Sequence, residues 1–390
     1  MVSLDNMPPL AGVAELDSFS HRKLVTKPNN LTYSYYLSPD FNKKQENSQV
    51  PTLVFIHGYP DDAYMWAGAV PHMLKLPYPF LLVDLLGFSG SSKPTDPPNY
   101  NYKQQADSIA QILDEEGVGN NVIPIGHDWG SGTSPSIDLR TRANNFQATA
   151  QRFYLYHRQR CVGLALLSLA YQIPSAEPFN LHQANEQTTN RFGYPQWEYW
   201  NFFTAPDAPG LMLKNLDRMY EVMHGIYSSP NSEEKGRDIW MREMFCTPGA
   251  MRDYISRSGK YKDYTVELKE YAKNPELKKR FVERLARDKF DGPVCYYHTL
   301  KNNTNLEDER EHLCQDPERK KVKVPMLYIG QTGDWVCRTD LMGDAVEAGL
   351  VQREDLEEKV VEAGHWVLYE KPEEVAGLIG DWLQRKFPVK

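Results

Sequence analysis

Cysteine is scarce in this chain of 390 residues, and the few cysteines that occur are scattered. The five thiols stand at Cys161, Cys246, Cys295, Cys314 and Cys337. Their odd number and irregular spacing are atypical of the disulfide framework of a secreted protein and of a structural zinc site. We therefore expect reduced thiols, a cytoplasmic location and no bound metal.

Long apolar runs and basic stripes are also missing. The longest apolar segments, such as residues 162–167, have the length of a strand and are too short to cross a bilayer. The first residues lack the basic region followed by an apolar stretch that marks a signal peptide. The formal net charge is −8, and acidic and basic residues are mixed along the chain. We expect no membrane span and no nucleic-acid partner.

Short apolar runs separated by helical patterns indicate an α/β protein. The runs predicted to be buried parallel strands are 53–56, 80–83, 122–125, 162–169 and 325–329. Residues 102–116 and 372–386 carry apolar side chains at helical spacing. This alternation is typical of an open parallel sheet with helices on both faces, and its functional groups gather at the carboxyl ends of the strands. Residues 1–30 show no such pattern and are expected to be irregular.

The alternation stops after about Ala170 and resumes near Val322. The interval is rich in aromatic residues, methionine and proline, with helical patches at 239–245 and 268–287. A chain of this length can hold one large domain with an inserted subdomain. We expect a helical cap at residues 173–320, inserted between two parts of one core at residues 1–172 and 321–390.

The most informative motif is Gly126-His127-Asp128-Trp129-Gly130, directly after a predicted strand. Small residues two positions before and after a nucleophile permit a sharp turn that exposes its side chain above a parallel sheet. A carboxylate at this position attacks saturated carbon and leaves an alkyl ester that water must cleave. The motif therefore predicts the opening of an epoxide, or the displacement of a leaving group such as halide.

Hydrolysis of such an ester requires further groups, and the sequence offers candidates for each. Asp334 and His365 each follow a predicted strand, which places both at the same edge of the sheet as Asp128. His365 would activate water, and Asp334 would orient the imidazole of His365. The ester oxyanion needs hydrogen-bond donors, which the backbone N–H groups of Tyr59 and Trp129 can supply. Pro60 follows Tyr59 and could shape this turn through a cis bond.

These motifs together resemble the epoxide hydrolase branch of the α/β-hydrolase superfamily. The resemblance rests on His57-Gly58-Tyr59-Pro60, the segment Asp84 to Ser92, the Asp128 elbow, Gly333-Asp334 and Gly364-His365, and it covers nearly all of the chain beyond the first thirty residues. It implies an α/β-hydrolase fold, in which a mostly parallel sheet is flanked by helices and carries an inserted helical cap. It also implies conversion of an apolar epoxide and water to a vicinal diol, without a cofactor, by a monomer or homodimer.

Epoxide opening creates an alkoxide that needs a proton donor, and the resemblance implies two cap tyrosines for this role. Tyr199 and Tyr297 resemble them, on the evidence of their flanking residues. A phenol suits the task because it is neutral at pH 7 and can donate a hydrogen bond. Tyr171, Tyr194 and Tyr296 remain open as alternative donors.

Other functions remain open at this stage. A haloalkane dehalogenase would use Trp129, with Trp197 or Trp200, to bind halide. However, the first loop of that family usually resembles His-Gly-Asn-Pro, and this chain has Tyr59 in place of the asparagine. Trp129 also stands where fluoroacetate dehalogenases tend to have arginine. A catalytically silent ligand-binding homologue is a further alternative. In another, the substrate's own hydroxyl opens the epoxide to a cyclic ether.

The chain departs from the family pattern after the elbow. The family expects a continuous helix there, but residues 132–150 look like an insertion, and Pro135 within them would break a helix. The expected segment then follows late, at residues 151–157. The insertion is either a genuine loop near the site or a retained intron in the gene model, which sequencing of the mature transcript would decide.

Overall fold

The computed structural model describes residues 16–47, 49–131, 149–227 and 238–389. An eight-stranded sheet lies at its centre, in the order β1-β2-β4-β3-β5-β6-β9-β10. The strands β1 to β10 are, in chain order, Ser20–Thr26, Leu31–Leu37, Thr52–Ile56, Phe80–Asp84, Val122–His127, Leu164–Leu167, Gly225–Ile226, Glu267–Leu268, Met326–Gln331 and Leu356–Val361. β2 pairs antiparallel with β1 and β4. The other neighbouring pairs, across β4, β3, β5, β6, β9 and β10 in that order, are parallel. The predicted fold class is confirmed.

The central strands are buried on both faces because helices cover the sheet on each side. Every residue of β3, β4 and β5 is buried, as expected for apolar runs in the middle of a parallel sheet. The expectation that residues 1–30 are irregular was wrong for Ser20–Thr26, which forms the edge strand β1, and residues 1–15 lie outside the described residues. Most of the side chains of β1 are exposed and several are charged, so the strand has no apolar run to reveal it.

Sixteen α-helices lie among the described residues. The helices α1 to α16 are, in chain order, Phe41–Gln45, Val70–Met73, Tyr102–Glu115, Thr149–Tyr156, Leu181–Phe192, Tyr199–Phe203, Ala208–Lys214, Leu216–His224, Trp240–Cys246, Ala250–Ile255, Pro275–Asp288, Cys295–Lys301, Leu306–His312, Met342–Glu347, Val367–Glu370 and Pro372–Lys386. The helices predicted at 102–116 and 372–386 are present as α3 and α16. No helix among the described residues combines the length and apolar character needed to cross a bilayer.

Along the chain, helices α5 to α13 and the small strand pair β7–β8 follow β6 and precede β9. The patch predicted at 239–245 is present as α9, whereas the patch predicted at 268–287 forms a helix only from Pro275 onward. The Asn274 side chain accepts the Glu276 N–H, and a proline in the first turn suits a helix start.

Buried ion pairs join this helical region to the sheet-forming part. Arg152 of α4 pairs with Glu309 of α13 at 2.7 Å, and both side chains are fully buried. Asp62 pairs with Arg280 of α11 at 2.6 Å. Because removing one partner of a buried pair leaves the other charge buried without a partner, these contacts hold the two regions in one arrangement.

The insertion predicted at 132–150 falls almost entirely outside the described residues, since only Thr149 and Ala150 are described, at the start of α4.

Candidate active site

Asp128 occupies a strained turn at the end of β5. Its φ of 53° lies in the left-handed region, which is uncommon for a residue with a side chain. The glycines of the elbow make the turn possible: a Cβ at Gly126 would collide with the Gly130 carbonyl, and a Cβ at Gly130 would collide with the Ile56 carbonyl. A Cβ at Gly58 would collide with the Asp128 side chain, so the loop after β3 must also be bare where it passes the carboxylate.

The structure brings the three predicted members of a triad together. His365 Nδ1 donates to Asp334 Oδ2 at 2.6 Å, and His365 Nε2 lies 3.5 Å from Asp128 Oδ1. The other oxygen of Asp334 accepts the N–H groups of Val336 at 3.0 Å and Cys337 at 2.7 Å. All three triad side chains are buried. Asp334 therefore has one oxygen fixed by its own loop and the other free to orient the imidazole.

The charges of these groups depend on one another. Burial raises the pKa of Asp128, although hydrogen bonds from His365 and from the Trp129 N–H oppose it. Burial alone would lower the pKa of His365, but the charge of Asp334 and the contact with Asp128 outweigh it and hold that pKa well above 6.5. The positive charge of His365 likewise outweighs burial at Asp334 and lowers its pKa. The two neighbouring carboxyl groups therefore favour the protonated form of His365.

Tyr199 at the start of α6 and Tyr297 in α12 line the same pocket as Asp128, and the centroids of the two phenol rings lie 5.9 Å apart. Burial raises the pKa of both phenols well above 10, so both are neutral hydroxyl donors. Two separate helices thus each contribute one phenol to the pocket that contains the carboxylate.

The three alternative tyrosines are engaged elsewhere. The Tyr171 hydroxyl donates to the Lys320 carbonyl, the Tyr194 hydroxyl to the Trp335 carbonyl at 3.0 Å, and the Tyr296 hydroxyl to Gln105 Oε1 at 2.9 Å. None of these three side chains lines the pocket that contains Asp128.

The loop after β3 has the expected form. The bond between Tyr59 and Pro60 is cis, and the Tyr59 N–H makes no hydrogen bond to the described part of the chain. His57 does not face the carboxylate: its Nε2 accepts the Leu85 N–H at 2.9 Å, so it ties the ends of β3 and β4 together. Burial lowers the pKa of His57 to about 4, which keeps this acceptor nitrogen unprotonated.

A small pocket connects these groups. Tyr59, Asp128, Tyr199, Tyr297 and His365 line it on the reactive side. The remaining walls are Met223, Met241, Phe245, Val336, Cys337 and Trp366. Lysine and arginine are absent from this lining, so His365 is its one basic side chain.

The chain resembles known proteins in sequence over most of its length. A family model for the alpha/beta hydrolase fold matches residues 51–134, which include the His57 loop and the Asp128 elbow. Epoxide hydrolase srdG of Neurospora crassa is 25% identical over 375 residues, covering 94% of this chain and 96% of that protein. Epoxide hydrolase B of Mycobacterium tuberculosis is 22% identical over 358 residues, covering 86% and 92%. The chain is therefore similar to epoxide hydrolases over most of its length.

Solved structures show the same fold. Epoxide hydrolase A from Mycobacterium thermoresistibile superposes with a TM-score of 0.67 at 20% identity, covering 94% of this chain and 98% of that one. An epoxide hydrolase from an endophytic Streptomyces superposes with a TM-score of 0.66 at 20% identity, covering 94% and 96%. At this identity the likeness establishes the α/β-hydrolase fold of the chain.

Sequence reasoning missed a contact that holds the His365 turn in place. Glu370 Oε1 accepts the Gly364 N–H at 3.0 Å, and Lys269, from the helical region, donates to the same oxygen at 2.8 Å. A Cβ at Gly364 would collide with the Lys269 ammonium group. Lys269 and Glu370 are 101 positions apart, and their residue types are common on surfaces, so no local pattern could have paired them.

Proposed function

We propose that this protein is an epoxide hydrolase, which converts an apolar epoxide to a vicinal diol through an ester on Asp128. One observation carries the proposal: two neutral phenols, Tyr199 and Tyr297, line the same pocket as the carboxylate. A carboxylate nucleophile with an adjacent histidine would suit several leaving groups. Paired phenols suit an oxygen that stays on the product and must gain a proton.

In the first step, an Asp128 oxygen attacks an epoxide carbon and the ring carbon–oxygen bond breaks. The phenols of Tyr199 and Tyr297 donate hydrogen bonds to the ring oxygen, and one of them gives it a proton. The product is a hydroxyalkyl ester of Asp128. The His365 cation can return a proton to the tyrosine, because esterification removes the Asp128 charge that helped to keep His365 protonated.

In the second step, neutral His365 takes a proton from water, and the resulting hydroxide attacks the ester carbonyl. Asp334 stabilises the imidazolium that forms. The tetrahedral oxyanion would be held by the N–H groups of Tyr59 and Trp129, of which the first has no acceptor in the described chain and the second already faces the carboxylate. Collapse breaks the ester bond, and His365 returns the proton to the departing diol.

The pocket walls favour an uncharged, apolar substrate. Methionine and aromatic side chains surround the reacting groups, and lysine and arginine are absent from the lining. We propose that residues 173–320 act as a cap, because Tyr199, Tyr297 and much of the apolar wall come from them. The reaction needs only the epoxide and water, and a cytoplasmic monomer or homodimer without a cofactor would suffice.

Turnover of a panel of styrene-type, aliphatic and polycyclic epoxides, beside a haloalkane, tests the proposal. Diol formation without halide release supports it. Release of halide alone would reassign the protein as a dehalogenase, although none of Trp129, Trp197 and Trp200 lines the pocket. Tight binding without turnover would indicate a silent ligand-binding homologue, and a cyclic ether product would indicate attack by the substrate's own hydroxyl.

A further inference from the structure

Cys337 adds a thiol to the reactive cluster. One ligand atom each of Asp334, Cys337 and His365 lies within 4.8 Å of the other two, and all three residues are buried. Cys337 and His365 both line the pocket, so the cluster can be reached from the same cavity as Asp128. The Cys337 N–H donates to Asp334 Oδ1 at 2.7 Å, which fixes the short loop that carries the thiol.

The donor set is that of a borderline-soft divalent cation. Thiolate sulfur, imidazole nitrogen and carboxylate oxygen are the three ligand types that zinc accepts, whereas calcium and magnesium prefer oxygen alone. With metal–ligand bonds of about 2.0–2.3 Å, tetrahedral ligands lie roughly 3.3–3.8 Å apart. The cluster therefore needs only small side-chain movements to close on an ion. His365 would bind through Nδ1, the nitrogen 2.6 Å from Asp334 Oδ2, and a water molecule can take the fourth position.

We propose that Zn²⁺ binds to Asp334, Cys337 and His365 and reversibly inhibits the enzyme. The ion displaces the thiol proton of Cys337 and one imidazole proton of His365, and both protons pass to solvent, with no oxidation or reduction. A coordinated His365 can no longer take a proton from water, and a coordinated Asp334 can no longer orient it. The inhibition rests on the proposed function, whereas the binding does not.

Other thiols provide matched controls for this site. Cys161, Cys246 and Cys295 are buried and Cys314 is partly exposed, and all are free thiols. Among the described residues, no other three histidine, cysteine, aspartate or glutamate side chains bring their ligand atoms within 4.8 Å of one another. Replacing Cys314 therefore removes a more accessible thiol without touching the cluster.

The test is a Zn²⁺ titration of the full chain, wild type and the variants Cys337→Ala, Cys337→Ser and Cys314→Ala, in a buffer that does not chelate metal. Bound zinc is measured by competition with a chromogenic chelator, and epoxide turnover is measured in the same samples. We expect one zinc per chain, inhibition that EDTA reverses, and affinity that falls at least about tenfold in both Cys337 variants but not in Cys314→Ala. Residual activity is expressed relative to the same variant without metal, because Cys337 lines the pocket.

Equal zinc affinity in the wild type and in whichever Cys337 variant folds would overturn the proposal, as would equal inhibition by Mg²⁺. The second Cys337 variant keeps the test valid if the first does not fold. Zinc binding that depends on Cys337 in a protein that turns over no epoxide would leave the metal site standing and would refute the proposed function instead.

Discussion

Replacing Lys269 with methionine tests whether a residue outside the triad holds the His365 turn in place. The Lys269 ammonium group lies 2.8 Å from Glu370 and 3.3 Å from Asp238, and its side chain is only 12% exposed. Methionine keeps much of the length and apolar volume of the stem but removes the charge. Glu370 would then keep its hydrogen bond from the Gly364 N–H and lose its cation.

The structure sets the expected magnitude. Breaking a fully buried ion pair costs about 3–5 kcal/mol, and the partial exposure of this pair reduces the loss of unfolding free energy to about 2–3 kcal/mol. For a chain of this length, that loss lowers Tm by about 2–4 °C. A looser turn also displaces His365, so we expect ester hydrolysis to slow by about tenfold. Formation of the ester should slow less, so the ester of Asp128 should accumulate during turnover.

Thermal unfolding and single-turnover kinetics check this prediction, with Lys273→Met as the matched control. Lys273 also pairs with two carboxylates, Glu267 and Glu270, but its side chain is 48% exposed and its partners are more exposed still. Exposed pairs contribute little, so the control should resemble the wild type in Tm and in both steps. If Lys269→Met and Lys273→Met behave alike, the assignment of Lys269 and Glu370 as positioning residues is wrong.

Three further predictions concern the reacting groups. Replacing His365 with glutamine should block water activation and trap the ester on Asp128, seen as a mass increase of one substrate by intact-protein mass spectrometry; an active substrate that leaves no adduct would contradict the division of labour. Replacing Tyr199 or Tyr297 with phenylalanine should each lower the rate of ester formation by about 10²-fold, and the double variant should form none in a rapid-quench assay, since each phenol supplies part of the proton donation. The pKa of Asp334 is lowered in the folded state, so its contribution to stability is complete above its ordinary value of 3.8 and is lost as pH falls through the folded value. Asp334→Asn should therefore flatten the acid limb of a stability–pH curve from chemical denaturation, and an unchanged limb would refute the assignment.

The fold was predicted correctly where burial leaves a clear pattern of apolar residues in the sequence. The strands β3 to β5 are apolar along their whole length because both faces are covered, and α16 shows helical spacing from Pro372 to Lys386. The edge strand β1 escaped prediction because its exposed residues carry no periodic apolar signal. The start of α11 was misplaced because apolar spacing extends upstream of Pro275, into β8 and a short 3-10 turn.

The candidate site follows the same division. The Asp128 elbow was predictable because the turn has no room for a Cβ at Gly126 or Gly130, so glycine is needed at both positions. Asp334 and His365 were predictable from their places after strands. Choosing Tyr199 and Tyr297 among 23 tyrosines depended on the family resemblance, since nothing in residue spacing alone reports which phenol reaches the pocket.

The most direct test of the central claim is a single turnover of a reactive epoxide in water enriched in oxygen-18, with enzyme in excess, followed by mass analysis of the diol and of the peptide that contains Asp128. The account predicts that the diol carries no label, because its new oxygen comes from the carboxylate, while the Asp128 peptide gains one heavy oxygen. A labelled diol beside an unlabelled Asp128 would show that water attacks the epoxide directly, and the covalent mechanism would have to be abandoned.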